Sequence, residues 1–214
     1  MKKGMIVLTL LAVVVLSGCA QKQVLFNGRN LDGWKPCLAD ASADPAAVWS
    51  VKDGVLRCEG KPNGYLRTTE EFSDYRLHLE WRWPETPTNS GVLLHVTGED
   101  KVWPLCIEAQ LMNQNAGDMV TMSQGSRITI EGKTYQTPPD KMAVVVAKQH
   151  ESSEKPAGQW NSYDILCQGD TIRLHVNGVL QNTGTQSSVT RGAIGLQSEG
   201  SPIEFRNIYL NSLN

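Results

Sequence analysis

The sequence predicts an all-β protein, a two-sheet antiparallel β-sandwich of about a dozen strands. Three observations point to it. Apolar residues recur with period two in many short runs, the spacing that gives a strand one buried face. The runs are separated by Asp-Gly, Asn-Gly and Pro-Pro pairs that form turns. Almost no stretch has a helical period, and nineteen glycines, ten prolines and six tryptophans suit strands and turns better than long helices.

Along the chain, Lys2 and Lys3 open a positive start, and Ile6 to Leu16 is a continuous apolar run, too short to span a bilayer comfortably. The run ends in Leu16-Ser17-Gly18-Cys19, which resembles the bacterial lipoprotein cleavage box. That resemblance implies a leader over residues 1–18 and lipidation of Cys19. It further implies an exported, membrane-anchored protein on the periplasm-facing side or cell surface, with the outer membrane as the expected site. Residues 19–23 are then a linker, and 24–214 a single domain.

Val24 to Gly28 reads as a short strand ending in an Asn-Gly turn, and 36–47 as an Ala-, Asp- and Pro-rich loop. Val48–Val51 and Val55–Cys58 flank Asp53-Gly54, a type I′ hairpin. Gly64-Tyr65-Leu66 leads into the run Tyr75–Trp83. Residues 113–127 are polar and aperiodic, a long loop. Glu131-Gly132 turns a second hairpin. Met142 to Ala147 is an unbroken apolar run, expected to be a buried strand. Trp160–Cys167, Thr171–Val176, Ala193–Gln197 and Ile203–Leu210 complete the strands, with Asn177-Gly178 at a turn. The N-terminal strand near Phe26 is expected beside the C-terminal strand near Phe205.

The net charge of −2 and the scattered lysines and arginines give no sign of a nucleic-acid partner. Cys37, Cys58, Cys106 and Cys167 match no zinc spacing; in an exported chain they are free buried thiols or one of three full disulfide pairings. His78, His95, His150 and His175 lack ligand spacing, so no cofactor is required by the sequence. Calcium held by loop carbonyls would leave no signature, and a divalent metal stays open. There is no serine nucleophile elbow and no phosphate-binding glycine loop.

The chemistry-bearing stretch is Tyr75 to Met112. Leu77, Leu79, Trp81 and Trp83 alternate with Arg76, His78, Glu80 and Arg82, and Ile107, Ala109 and Leu111 alternate with Cys106, Glu108, Gln110 and Met112. If these strands share a sheet, Glu80, Arg82, His95, Glu108 and Gln110 line one face. An ordinary glycosidase needs two carboxylates. The strand at Glu108 continues to Gln110 and Met112, so a second one must come from elsewhere, such as Glu80 or Glu199. For Glu80 and Arg82 a cross-strand ion pair is the competing role. Trp81 and Trp83 are read as core; Trp103, beside Pro104, either packs or lines a sugar site.

Several segments together resemble one family. They include Leu25-Phe26-Asn27-Gly28 with Leu31 to Trp34, Trp49 with Asp53 to Leu56, Glu80-Trp81-Arg82 and Asn89-Ser90-Gly91-Val92. Ile107 to Gln110, Gly158 to Asn161, Asn177-Gly178, Gly195 to Gln197 and Ile203 to Ile208 extend the set. The chain is similar to the 3-keto-disaccharide hydrolases over essentially all of 24–210. The resemblance implies a concanavalin A-like jelly roll and a carbohydrate substrate already oxidised at C3 by a separate sugar 3-dehydrogenase. The ketone acidifies the C2 proton; a base removes it and the C1 oxygen leaves. On this basis Glu108 is assigned acid–base work, and Arg82 and His95 enolate stabilisation or the second proton transfer. Glu80, Asn89, Ser90, Trp103, Gln110, Lys148, Gln197 and Glu199 are expected to hold substrate. The chain departs from the family pattern at Asn113, where aspartate is usual, and at His95, where arginine is frequent. A lectin-like lipoprotein and an ordinary glycoside hydrolase are the alternatives, since one fold hosts all three.

Overall fold

A computed structural model describes residues 22–213. The expected leader and lipidation site at Cys19 lie outside the described residues. In chain order the first strands are β1 (Lys22–Val24), β2 (Trp34–Leu38), β3 (Trp49–Lys52), β4 (Val55–Cys58), β5 (Gly64–Thr68) and β6 (Tyr75–Arg82), with the short helix α1 (Pro45–Val48) before β3. Next come β7 (Gly91–Thr97), β8 (Leu105–Gln110), β9 (Met119–Met122), β10 (Arg127–Ile130), β11 (Lys133–Gln136) and β12 (Ala143–Val146). The last are β13 (Asn161–Gln168), β14 (Thr171–Val176), β15 (Val179–Gly184), β16 (Ala193–Ser198) and β17 (Ile203–Ser212).

Two antiparallel sheets form the expected sandwich. One has the order β15-β14-β13-β6-β17-β4-β3, with β1 also on β17; the other runs β12-β9-β8-β7-β16-β5-β2. The strand alternation fixes what lies between them. On β6, Leu77, Leu79 and Trp81 point inward, and on β8 Ile107 and Ala109 do, into one core shared with Trp49, Tyr163 and Phe205. Trp81 and Tyr163 pack with ring centroids 5.5 Å apart. The hairpin turns at Asp53-Gly54, Glu131-Gly132 and Asn177-Gly178 each hold two successive residues at positive φ, as type I′ requires.

Several sequence expectations are corrected. The 36–47 loop contains the end of β2 and α1, the latter capped by Asp44 accepting from the Ala46 amide. The 113–127 loop contains β9, whose four residues are all buried and therefore do not alternate. The apolar run at 142–147 forms β12, an edge strand rather than a buried one, leaving Val145 57% exposed. β15 was not anticipated. The chain ends do meet, at Val24 opposite Tyr209 rather than at Phe205, which pairs with Leu56 and Trp81. Cys37, Cys58, Cys106 and Cys167 are free thiols. Among the described residues no helix is long and apolar enough to cross a membrane.

Candidate active site

Residues directly opposite one another in an antiparallel sheet point to the same side. Glu108 on β8 stands opposite Leu93 on β7, Leu93 opposite Gly195 on β16, Gly195 opposite Arg67 on β5, and Arg67 opposite Lys35 on β2. In the neighbouring row Gln110 faces Gly91, while Gln197 faces Tyr65 and Tyr65 faces Cys37. All of these lie on the side of the seven-stranded sheet turned away from the core. A second apolar cluster of Tyr65, Leu93, Val96, Cys106, Met122 and Ala193, with Trp103 packed against it, covers part of this face. Trp103 thus packs on the outer face of this sheet, its carbonyl accepting from Ser123 Oγ at 2.6 Å.

Glu108 is only 3% exposed. Burial, reinforced by the negative charge of Glu199, pushes its carboxyl up to about 8, so it holds its proton at neutral pH. Glu199 is also raised by burial, opposed by a hydrogen bond from Asn89. Glu108 leans over Gly91: a methyl group there would come within 2.7 Å of the Glu108 Cδ atom. Gly91 is therefore needed for room. Three buried oxygens at this spot, Glu108 Oε1, Asn89 Oδ1 and Gln197 Oε1, have no hydrogen-bond partner among the described residues. Natural proteins rarely bury oxygens unpaired, so three together call for a partner such as a ligand hydroxyl or an ordered water. Ser90 sets the floor, its Oγ donating to the Gln197 carbonyl at 2.8 Å and its carbonyl accepting from the Leu111 amide. Gln110 points outward, but its side-chain oxygen caps its own strand, accepting from the Leu111 and Met112 amides at 2.9 Å.

The structure separates the rest of the expected set. β6 belongs to the eight-stranded sheet, so Glu80 and Arg82 project from the opposite side of the sandwich and share no face with Glu108. Arg82 pairs with Glu204 at 2.7 Å and Arg206 with Glu80 at 2.6 Å, and both guanidiniums lie over the Trp160 ring. Burial works against ionisation of Glu80, yet hydrogen bonds from Asn207 and Arg206 outweigh it and hold the carboxyl below its usual range. Glu80 and Arg82 thus both make cross-strand ion pairs, each with β17. His95 sits on a bulge at φ 57°, where the register shifts between Leu94 and Thr97. The bulge turns its ring edge-on to Tyr75 of the main core, with Nδ1 3.1 Å from the Val189 carbonyl and Nε2 3.2 Å from that of Ser73. Arg82 and His95 are thus both away from Glu108, which corrects the expected catalytic trio. Lys148 lies at the rim of the Glu108 face, its Nζ donating to the Gln114 carbonyl at 2.6 Å.

Sequence reasoning missed Gly91 as the seat of the carboxyl, Asp118 beside Gln110, and the group Tyr65, Arg67, Lys35 and Asp100. Only strand register assembles these. Among the described residues no three His, Cys, Asp or Glu side chains converge as metal ligands.

Among solved structures, a candidate glycosyl hydrolase from Parabacteroides distasonis is 24% identical, with a TM-score of 0.64 over 90% of this chain and 100% of that one. The β-glucanase of Bacillus licheniformis is 14% identical, TM-score 0.59, over 92% and 100%. A carbohydrate-binding module from Bacillus subtilis is 10% identical, TM-score 0.59, over 84% and 96%. At these identities the likeness establishes the jelly-roll fold, which serves hydrolases and binding modules alike. The comparison with curated proteins gives no match. A family model, by contrast, matches residues 21–211, nearly the whole chain, and by that match the protein belongs to the 3-keto-alpha-glucoside-1,2-lyase-like domain family.

Proposed function

We propose that this protein cleaves the glycosidic bond of 3-keto-glycosides by elimination, with Glu108 and Glu199 as its proton-transfer pair. The observation that carries the reading is the buried, protonated and unpartnered Glu108 carboxyl beside a second, more exposed carboxylate. Such a pair of environments separates an acid from a base. Glu199, oriented by Asn89, takes the C2 proton of the oxidised sugar. The electron pair forms an enolate with the C3 ketone, then collapses to expel the C1 oxygen, which takes the proton of Glu108. The product is a 2-hydroxy-3-keto glycal, to which water then adds. Gln197 and Asn89 offer their free oxygens to sugar hydroxyls. The C3 ketone must be made beforehand by a sugar 3-dehydrogenase.

The carboxylate pair also supports a second reading, direct hydrolysis of an unoxidised glycoside, which needs an acid and a nucleophile or base. Assaying one disaccharide and its 3-keto form side by side decides between them. Turnover of the oxidised sugar alone, with transient near-ultraviolet absorbance of the glycal, is the expected result. Equal turnover of both forms would establish the hydrolase, and turnover of neither would leave a binding protein.

Gly91 offers a further test. Gly91→Ala should keep the fold, because its backbone φ is one that alanine adopts, yet push the Glu108 carboxyl aside. Misplacement of a reacting group by about 1 Å costs on the order of 10²-fold in rate. Undiminished turnover by Gly91→Ala would mean that the position of Glu108 over this glycine is irrelevant.

A further inference from the structure

The Glu108 face is closed at one end and open at the other. At the β5–β2 end, Asp100 accepts from Lys35 Nζ at 2.7 Å, from Arg67 Nε at 2.7 Å and from Arg67 Nη2 at 3.0 Å, and the Tyr65 hydroxyl donates to it at 3.3 Å. The charges there are satisfied within the protein. At the β9–β12 end lies a cavity of about 620 Å³ lined in part by Gln114, Asn115, Asp118, Lys148 and Gln149.

Strand pairing brings Asp118 to this cavity. The Gln110 amide donates to the Asp118 carbonyl at 3.0 Å, and the Gly117 amide to the Gln110 carbonyl at 3.4 Å. Asp118 therefore lies across from Gln110, two residues along and one strand over from Glu108. With a rise of about 3.4 Å per residue and about 4.8 Å between strands, the two Cα atoms are roughly 8 Å apart. Asp118 Oδ1 accepts from the Lys148 amide at 2.9 Å, with Lys148 Nζ 3.9 Å away. The side chains of Gln114, Asn115 and Gln149 line the same cavity as Asp118. Two exposed apolar side chains accompany them: Val145, opposite Val120 and so level with Glu108, and Met112, beyond Gln110. Side-chain amides, one fixed carboxylate and an apolar surface nearby match the hydroxyls and the C–H face of a sugar.

The order of strands assigns the direction. Glu199 follows β16, on one side of Glu108, and must reach C2 of the ring being cleaved. That ring therefore lies on the β16 side of the Glu108 carboxyl, which itself fills the space over Gly91. The leaving oxygen and whatever it carries then extend the other way, over β9. We propose that the Asp118 cavity is the subsite for a polyhydroxylated leaving group, a second sugar, with Asp118 binding its hydroxyls and Lys148 holding Asp118 in place. This rests on the reading of Glu108 and Glu199 given above.

The test compares a 3-keto-disaccharide with an aryl 3-keto-glucoside, whose leaving group has no hydroxyls. Asp118→Asn, and separately Gln149→Ala on the exposed rim, should lower the ratio of kcat/KM for the disaccharide over that for the aryl glycoside. A drop of about tenfold is expected for Asp118→Asn, the weight of a hydrogen bond to a charged group, seen mainly as a higher KM. An unchanged ratio in both variants would overturn the subsite. If the wild-type protein turns over neither compound, the elimination fails, and calorimetry with the unoxidised disaccharide and its monosaccharide takes over. Tighter binding of the disaccharide that Asp118→Asn removes would uphold the subsite; equal or absent binding of the two sugars would overturn it.

Discussion

Glu108→Gln is expected to lower turnover of a 3-keto-glycoside by about 10²–10⁴-fold, the usual weight of general acid–base catalysis. Glutamine keeps the shape of the side chain over Gly91 and keeps polar atoms near Asn89 and Gln197, so binding should change little. It cannot release a proton to the leaving oxygen. The pH profile carries the sharper signature. Glu108 must be protonated and Glu199 ionised, so kcat/KM should rise through the pKa of Glu199, which burial lifts above its ordinary value. It should fall again near pH 8, where Glu108 loses its proton. The alkaline limb depends on both residues, because the charge of Glu199 helps to raise the Glu108 carboxyl. Glu199→Gln removes that charge and should move the alkaline limb to lower pH while abolishing the base. A loss below tenfold in Glu108→Gln, or an alkaline limb that persists in it, would take Glu108 out of the proton transfer.

Local alternation made the outward position of Glu108 legible: Ile107, Ala109 and Leu111 are core residues, so their neighbours had to point away. The same argument placed Arg82 outward, correctly, but outward from a different sheet. Alternation reports a face, not the sheet that owns it. Ownership depends on long-range pairing: β6 lies between β13 and β17, while β8 lies between β7 and β9. The approach of Glu199 to Glu108 has the same origin, since β16 and β8 are separated only by β7. His95 was lost to a local cause. One residue at positive φ reverses the alternation of β7 beyond Leu94, and nothing in a histidine between two apolar residues announces a bulge. β9 was hidden because it is buried on both faces: Met119 packs in the core and Met122 in the outer cluster beside Trp103.

The second large effect concerns stability and needs no substrate. Burial pushes the Glu108 carboxyl up to about 8 in the native state, whereas an unfolded chain releases that proton at about 4.3. Below the unfolded value both states hold the proton and burial of the neutral acid is at its least unfavourable. As the pH rises from there toward 8, the unfolded chain ionises and the native one does not, so the native state loses ground at up to about 1.4 kcal/mol per pH unit. The accumulated loss is on the order of 5 kcal/mol, a large share of the stability of an ordinary domain. Burial raises Glu199, Asp118 and Glu154 too, which adds to the trend with the same sign. Asp100 acts oppositely: Arg67 and Lys35 depress its carboxyl, so its contribution is present above the unfolded pKa and fades only in stronger acid. Urea unfolding of the wild type should therefore show a midpoint that falls between pH 5 and 8. Glu108→Gln, with no proton to lose, should be markedly flatter over that range and more stable than the wild type at pH 8. Parallel curves for the two proteins would mean that Glu108 is ionised in the native state, and with that the acid of the proposed reaction would be gone.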